Sequence, residues 1–137
     1  MLSAVPADVP ADVTPPAMFL VIEDSPMYRE LLTHWIEHLG FAVLACATLR
    51  EGVVHLATHP EIAGVVLDLR LPDTLDTEAI TRGTQAAPLV PVAVLTGSER
   101  PGIASTVIDL GAKLFLHKNT ATQETLEALI TALLASR

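Results

Sequence analysis

Only one cysteine, Cys46, occurs in the chain, so no intrachain disulfide can form. Its place in the apolar run FAVLACA reads as a small core residue of a protein kept in a reducing compartment. Basic residues are scarce as well. Eight Lys and Arg face 16 Asp and Glu, giving a net charge of −8, and no basic cluster is present to follow a phosphate backbone. That argues against direct nucleic-acid binding. Apolar runs stop at about five to seven residues, well short of the roughly 20 that a membrane-spanning helix needs. A secretory signal is also missing: the first Lys or Arg is Arg29, and Asp8 and Asp12 interrupt the N-terminal apolar residues. The expectation is a cytoplasmic protein without membrane insertion.

What is present is 137 residues, half of them hydrophobic, enough for a single domain with its own core. The opening MLSAVPADVPADVTPP repeats VPAD and is rich in proline. It has little apolar bulk to pack, so residues 1–17 are expected to form a flexible Pro/Ala-rich arm and residues 18–137 the folded domain.

Five short apolar runs follow: MFLVI (18–22), FAVLACA (41–47), AGVVL (63–67), VPVAVL (90–95) and KLFLH (113–117). They recur about every 22 to 27 residues with amphipathic stretches between them, which is the rhythm of alternating strands and helices. Most are apolar on both faces, as suits parallel strands covered by helices on each side. Ser25 is placed to cap the first helix, Pro26 suits its first position, and Gly40 can close it. Its buried stripe is expected to be Tyr28, Leu31, Leu32, Trp35, Ile36 and Leu39. The last helix shows the same spacing in Leu126, Leu129, Ile130, Leu133 and Leu134, and a weaker version runs through Ile103, Val107 and Leu110. Leu49, Val53, Leu56 and Ala57 support a helix near 49–58. The segment 77–86 offers little beyond Ala79 and Ile80, with Gly83 interrupting.

In an open parallel sheet, ligands bind outside the carboxyl ends of the strands. Glu23 and Asp24 follow the first run, Asp68 the third, Thr96 the fourth and Lys118 the fifth. Two carboxylates about 4 Å apart repel by roughly 4 kcal/mol at an effective dielectric near 20, so three in one cleft call for a cation. Mg²⁺ suits such a site, because it takes a few oxygen ligands and keeps waters that phosphate oxygens can replace. Asp68 is then a candidate nucleophile toward a phosphoryl group, with Lys118 offsetting charge and Thr96 donating a hydrogen bond.

In order along the chain, FLVIED, VVLDLRLP, VLTG and GAKLFLHK resemble the four motifs of the receiver domain of two-component response regulators, over residues 18 to 136. The resemblance implies a flavodoxin-like, doubly wound α/β fold with five parallel strands in the order 2-1-3-4-5. It implies that Asp68 accepts a phosphoryl group from a histidine kinase or histidine phosphotransfer protein. Mg²⁺ would be held by Asp24, Asp68, the backbone carbonyl of Arg70 and, through water, Glu23, and Lys118 would pair with the phosphoryl oxygens. Thr96 and Phe115 would form the switch. Partner docking would involve Met27, Tyr28 and Leu31 on the first helix and Asn119 in the loop after Lys118, while the downstream partner stays unknown. Such a domain is a phosphorylatable switch that takes part in its own phosphorylation and dephosphorylation, and not a turnover enzyme.

Three positions depart from the family's pattern. Asn119 follows Lys118 where the family usually has proline, so a trans bond is expected unless strain is stored there. Asp76 stands where glycine is common, and Arg70 sits where family members tune the lifetime of the phosphoryl group. Two rivals stay open: a degenerate receiver serving as a phosphorylation-independent interaction module, and an Asp-nucleophile phosphatase, for which Arg70 stands where a second Asp would be needed. The run HWIEH (34–38) matches the H-x-x-E-H of zinc peptidases, and His55 and His59 repeat the spacing, but neither pair has an evident third ligand.

Overall fold

The computed structural model describes residues 17–75 and 77–136. The arm expected over 1–17 therefore lies almost wholly outside the described residues, as does Asp76. Strands β1 (Met18–Ile22), β2 (Ala42–Cys46), β3 (Ile62–Leu67), β4 (Val92–Thr96) and β5 (Leu114–His117) alternate with helices α1 (Pro26–His38), α2 (Leu49–Thr58), α3 (Glu78–Ala86), α4 (Ile103–Asp109) and α5 (Gln123–Ala135). All strand pairs are parallel and the spatial order is β2-β1-β3-β4-β5, the doubly wound arrangement expected from the sequence.

The continuous apolar character of β1, β3 and β4 follows from burial on both faces. On one side Leu20, Ile22, Val65, Leu67 and Val94 pack with Leu49, Ile80, Ile103 and Val107 from α2, α3 and α4. On the other, Phe19, Val21, Val66 and Leu95 meet Leu32 and Ile36 of α1 and Leu126, Ile130 and Leu133 of α5. Gly64 lets α5 approach β3: a Cβ there would lie 2.7 Å from Leu133 Cδ2 and 3.1 Å from Phe19 Cε1, both on fully buried side chains. Gly64→Val is expected to destabilise the domain by about 1–3 kcal/mol through overpacking, measured as a shift in the urea midpoint at unchanged slope.

Local signals set the helix ends. The Ser25 hydroxyl accepts from Tyr28 N at 3.3 Å, Pro26 opens α1, and Gly40 leaves it at φ 96°, a conformation glycine adopts without steric cost. Thr122 and Thr125 exchange hydrogen bonds of 2.7 and 3.1 Å across the first turn of α5. Several expectations need correction. Leu31 is 37% exposed, because Leu32 and Ile36 set the core direction and Leu31 points about 100° away. Leu110 is exposed because α4 ends at Asp109 and the chain turns at Gly111. Ala57 is also exposed. Gly83 does not interrupt α3; it lies on that helix's narrow buried face with Ala79 and Ile80.

Candidate functional site

Parallel register assembles the site. Ile22 pairs with both Cys46 and Leu67, Leu67 pairs with Val94, and Thr96 pairs with His117. The next residues continue the ladder, Glu23 N donating to Cys46 O and Asp68 N to Ile22 O, each at 3.0 Å. Glu23, Asp24, Asp68, Thr96 and Lys118 thus reach one rim of the sheet.

Glu23 is 1% and Asp68 4% exposed, while Asp24 is open to solvent. Ligand oxygens of the three carboxylates all lie within 4.8 Å of one another, the one group among the described residues with the makings of a cation site. Lys118 supplies the positive charge. Its Nζ lies 2.7 Å from Glu23 Oε1 and 3.3 Å from Asp68 Oδ2. At 2.7 Å the contact to Glu23 Oε1 is the shorter of the ammonium's two ion pairs, made at the buried base of the cluster. Glu23 Oε2 accepts from Ser25 N at 3.1 Å, and Asp68 Oδ1 accepts from Arg70 N at 3.3 Å.

These contacts pull the charges in opposite directions. Burial pushes the Glu23 carboxyl above its ordinary range, against the lowering pull of Lys118 and the Ser25 amide, and the Asp68 charge adds to the rise. Burial alone would lower Lys118, but its pairing with Glu23 and Asp68 outweighs that and holds the ammonium above its usual value. The Tyr28 ring covers the ammonium with its centroid 4.3 Å away, a cation–π contact.

Other predicted residues fall around this cluster. Thr96 is fully buried and its Oγ1 accepts from Ser98 N at 3.4 Å. Phe115 is half-buried against the α2/α3/α4 side of the core. The Arg70 side chain, Met27 and Asn119 are exposed, while Tyr28 is turned toward Lys118. Met27 and Leu31 line an open groove on α1 with Glu30 and His34. The His34/His38 rings stand 6.5 Å apart and the His55/His59 rings 5.8 Å, and neither pair joins a metal-capable group among the described residues. Cys46 is buried, and burial pushes its thiol up to about 11.

A family model of the response regulator receiver domain matches residues 19–130. The chain belongs to that family. Receiver domains act in two-component signal transduction, and this one is similar to the acid tolerance regulatory protein ActR of Rhizobium meliloti, at 31% identity over 120 residues. That match covers 86% of this chain and 60% of ActR. Nodulation protein W of Bradyrhizobium diazoefficiens is 29% identical, with 85% of this chain and 51% of that protein covered. The chain thus spans between half and 60% of these curated relatives. Among solved structures, a LuxR-family two-component response regulator from Aurantimonas sp. superposes with TM-score 0.79 at 27% identity, covering 89% of this chain and 87% of that one. A CheY-like receiver domain from Methanospirillum hungatei gives TM-score 0.78 at 20% identity, covering 88% and 96%, and bears on the fold alone.

In this receiver domain the described residues include no cis peptide bond, so Lys118–Asn119 is trans. Without the family's usual proline, the turn Lys118–Thr120 is held by side chains. His117 Nδ1 accepts from Asn119 N at 3.0 Å, Thr120 Oγ1 donates to His117 O at 3.0 Å, and Asn119 Nδ2 donates to Glu99 Oε1 at 3.2 Å. His117 was missed from the sequence although a histidine at a strand end is a ready cap. Arg29 was missed too: its Nη1 donates to Glu23 O at 2.7 Å and to Asp24 O at 3.4 Å, bracing the acidic turn.

Proposed function

We propose that this receiver domain is a phosphorylatable switch whose phosphoacceptor is Asp68. The supporting observation is the placement of a nearly buried aspartate between an ammonium and two further carboxylates at the strand rim. An Asp68 carboxylate oxygen attacks the phosphorus of a phosphohistidine. A P–O bond forms, the P–N bond breaks, and the departing imidazole nitrogen keeps the electron pair and takes a proton. Attack of water on the resulting acyl phosphate releases inorganic phosphate and regenerates the carboxylate.

Three carboxylates whose ligand oxygens lie within 4.8 Å of one another suit a hard divalent cation. Glu23, Asp24, Asp68 and the Arg70 carbonyl would hold Mg²⁺, which when bound supplies positive charge to the transferring phosphoryl oxygens. Lys118 offsets charge on those oxygens, and the Thr96 hydroxyl donates to them. Phe115 follows Thr96, changing the surface formed by α4, β5 and α5. Met27, Leu31 and Asn119, all exposed, are the side chains offered to a histidine kinase or histidine phosphotransfer partner. Residues 18–137 make up this unit and 1–17 an appended arm.

Incubation with acetyl phosphate and Mg²⁺ is expected to add one hydroxylamine-labile phosphate, mapped by mass spectrometry to the peptide containing Asp68 and abolished by EDTA. A phosphate on another residue, or steady turnover of a generic phosphate ester, overturns the reading. A chain that binds a partner equally well with and without acetyl phosphate would instead be an interaction module.

A further inference from the structure

The segment that leaves β3 runs in and out. Leu69 and Leu71 are buried in the core, Arg70 and Pro72 face solvent, and Asp73 then reaches across to α2. There its Oδ1 accepts from Leu49 N and its Oδ2 from Arg50 N, both at 2.9 Å. The helix already has a cap of its own. Thr48 Oγ1 accepts from Glu51 N at 3.2 Å, Thr48 O accepts from Gly52 N at 3.2 Å, and Glu51 Oε1 lies 3.0 Å from Thr48 Oγ1. Asp73 therefore completes the first turn from 24 positions away, using both carboxylate oxygens on two parallel amides. A bidentate bond between an ion and two fixed donors restrains direction as well as distance.

We propose that Asp73 is a positioning residue: by clamping the first turn of α2 it fixes the backbone of residues 69–72, and with it the Arg70 amide and carbonyl, against the acidic cluster. The inference rests on the phosphoacceptor reading above. Arg70 N is already bonded to Asp68 Oδ1, so any swing of this segment also reorients the acceptor carboxylate. Groups that hydrogen-bond a ligand without touching the ion commonly change metal affinity about ten- to a hundredfold, and Asp73, acting one step further out through the backbone, should change it less.

The test compares Asp73→Ala, Asp73→Asn and Thr48→Ala with the native chain, using Mn²⁺ as the probe and electron paramagnetic resonance to count free ion. Asp73→Ala is expected to weaken Mn²⁺ binding about three- to tenfold and to slow acetyl phosphate uptake by a similar factor. Asp73→Asn, which keeps an acceptor without the charge and serves if the alanine variant fails to fold, should fall between. Thr48→Ala removes the helix's own cap but leaves the clamp, and should stay within about twofold of native on both measures. Native affinity in both Asp73 variants, or an equal loss in Thr48→Ala, reduces Asp73 to a helix cap and overturns the proposal. Failure of the phosphoacceptor reading looks different: the native chain and Asp68→Asn would then bind Mn²⁺ alike. Hydrogen exchange still decides the clamp in that case. The Arg70 and Leu71 amides should exchange faster in the Asp73 variants and not in Thr48→Ala, and unchanged exchange there sinks it.

Discussion

Asp68→Asn is expected to lower phosphoryl uptake from acetyl phosphate by about a hundredfold or more while leaving the domain folded. An amide oxygen carries no formal charge and is a poor nucleophile, so the step that forms the acyl phosphate is lost rather than slowed. The same change removes one of three crowded carboxylates, so the thermal midpoint should hold or rise. That pairing of results separates chemistry from damage. Asp24→Asn offers the contrast: Asp24 is exposed and lies within the same 4.8 Å group, so its loss should raise the Mg²⁺ concentration needed for uptake while saturating Mg²⁺ restores most of the rate. Uptake by Asp68→Asn at the native rate would move the acceptor elsewhere.

Lys118→Met should be the most destabilising change at the rim, on the order of 2–4 kcal/mol near neutral pH. The ammonium is the cation facing Glu23 and Asp68, and taking one member from a buried ion pair leaves the other charges uncompensated. Because Lys118 is 20% exposed, water screens part of that loss and the lower end of the range is favoured. Its pH dependence carries the diagnosis. Glu23 already has a carboxyl raised above its ordinary 4.5, by burial first, so the folded state binds that proton more tightly than the unfolded chain. Stability tied to Glu23 is therefore greatest below the ordinary carboxylate range and is lost as pH rises through the elevated folded value. Without the ammonium that loss deepens, so the variant should approach native stability in mild acid and fall away toward neutrality. In the native chain the Lys118 value is raised, so once the carboxylates are ionised the pair's contribution holds up to 10.5 and fades only as pH climbs past it. Mg²⁺ should rescue the variant more than the native protein, since an ion that binds only the folded state stabilises it by mass action. Urea melts across pH 5 to 8 with and without Mg²⁺ read all of this, and a flat, native-like profile would show that Lys118 does not neutralise the cluster.

Much of this arrangement was legible before any coordinates. Parallel register is nearly dictated when successive apolar runs are separated by helices, so residues that follow each run must share a rim, and Glu23, Asp68, Thr96 and Lys118 do. The α1 ends were written in Ser25, Pro26 and Gly40. Periodicity gave the middle of each apolar stripe but not its margins, which depend on how a helix is rotated against the sheet; Leu31 and Ala57 fell on the wrong side for that reason. The α3 face was too narrow to stand out because Ala79, Ile80 and Gly83 bury little apolar surface. Contacts between distant segments left no local trace at all: nothing near Asp73 announces the amides of Leu49 and Arg50, and nothing near Tyr28 announces the ammonium of Lys118.

Burial of Cys46 has a practical corollary. With its thiol pushed up to about 11, only about one molecule in ten thousand carries a thiolate at neutral pH, too few for alkylating probes or oxidants to find. A cysteine introduced on the outer face of α4 could therefore take a fluorophore selectively in the otherwise native chain, giving an optical handle on that helix without first deleting the native thiol.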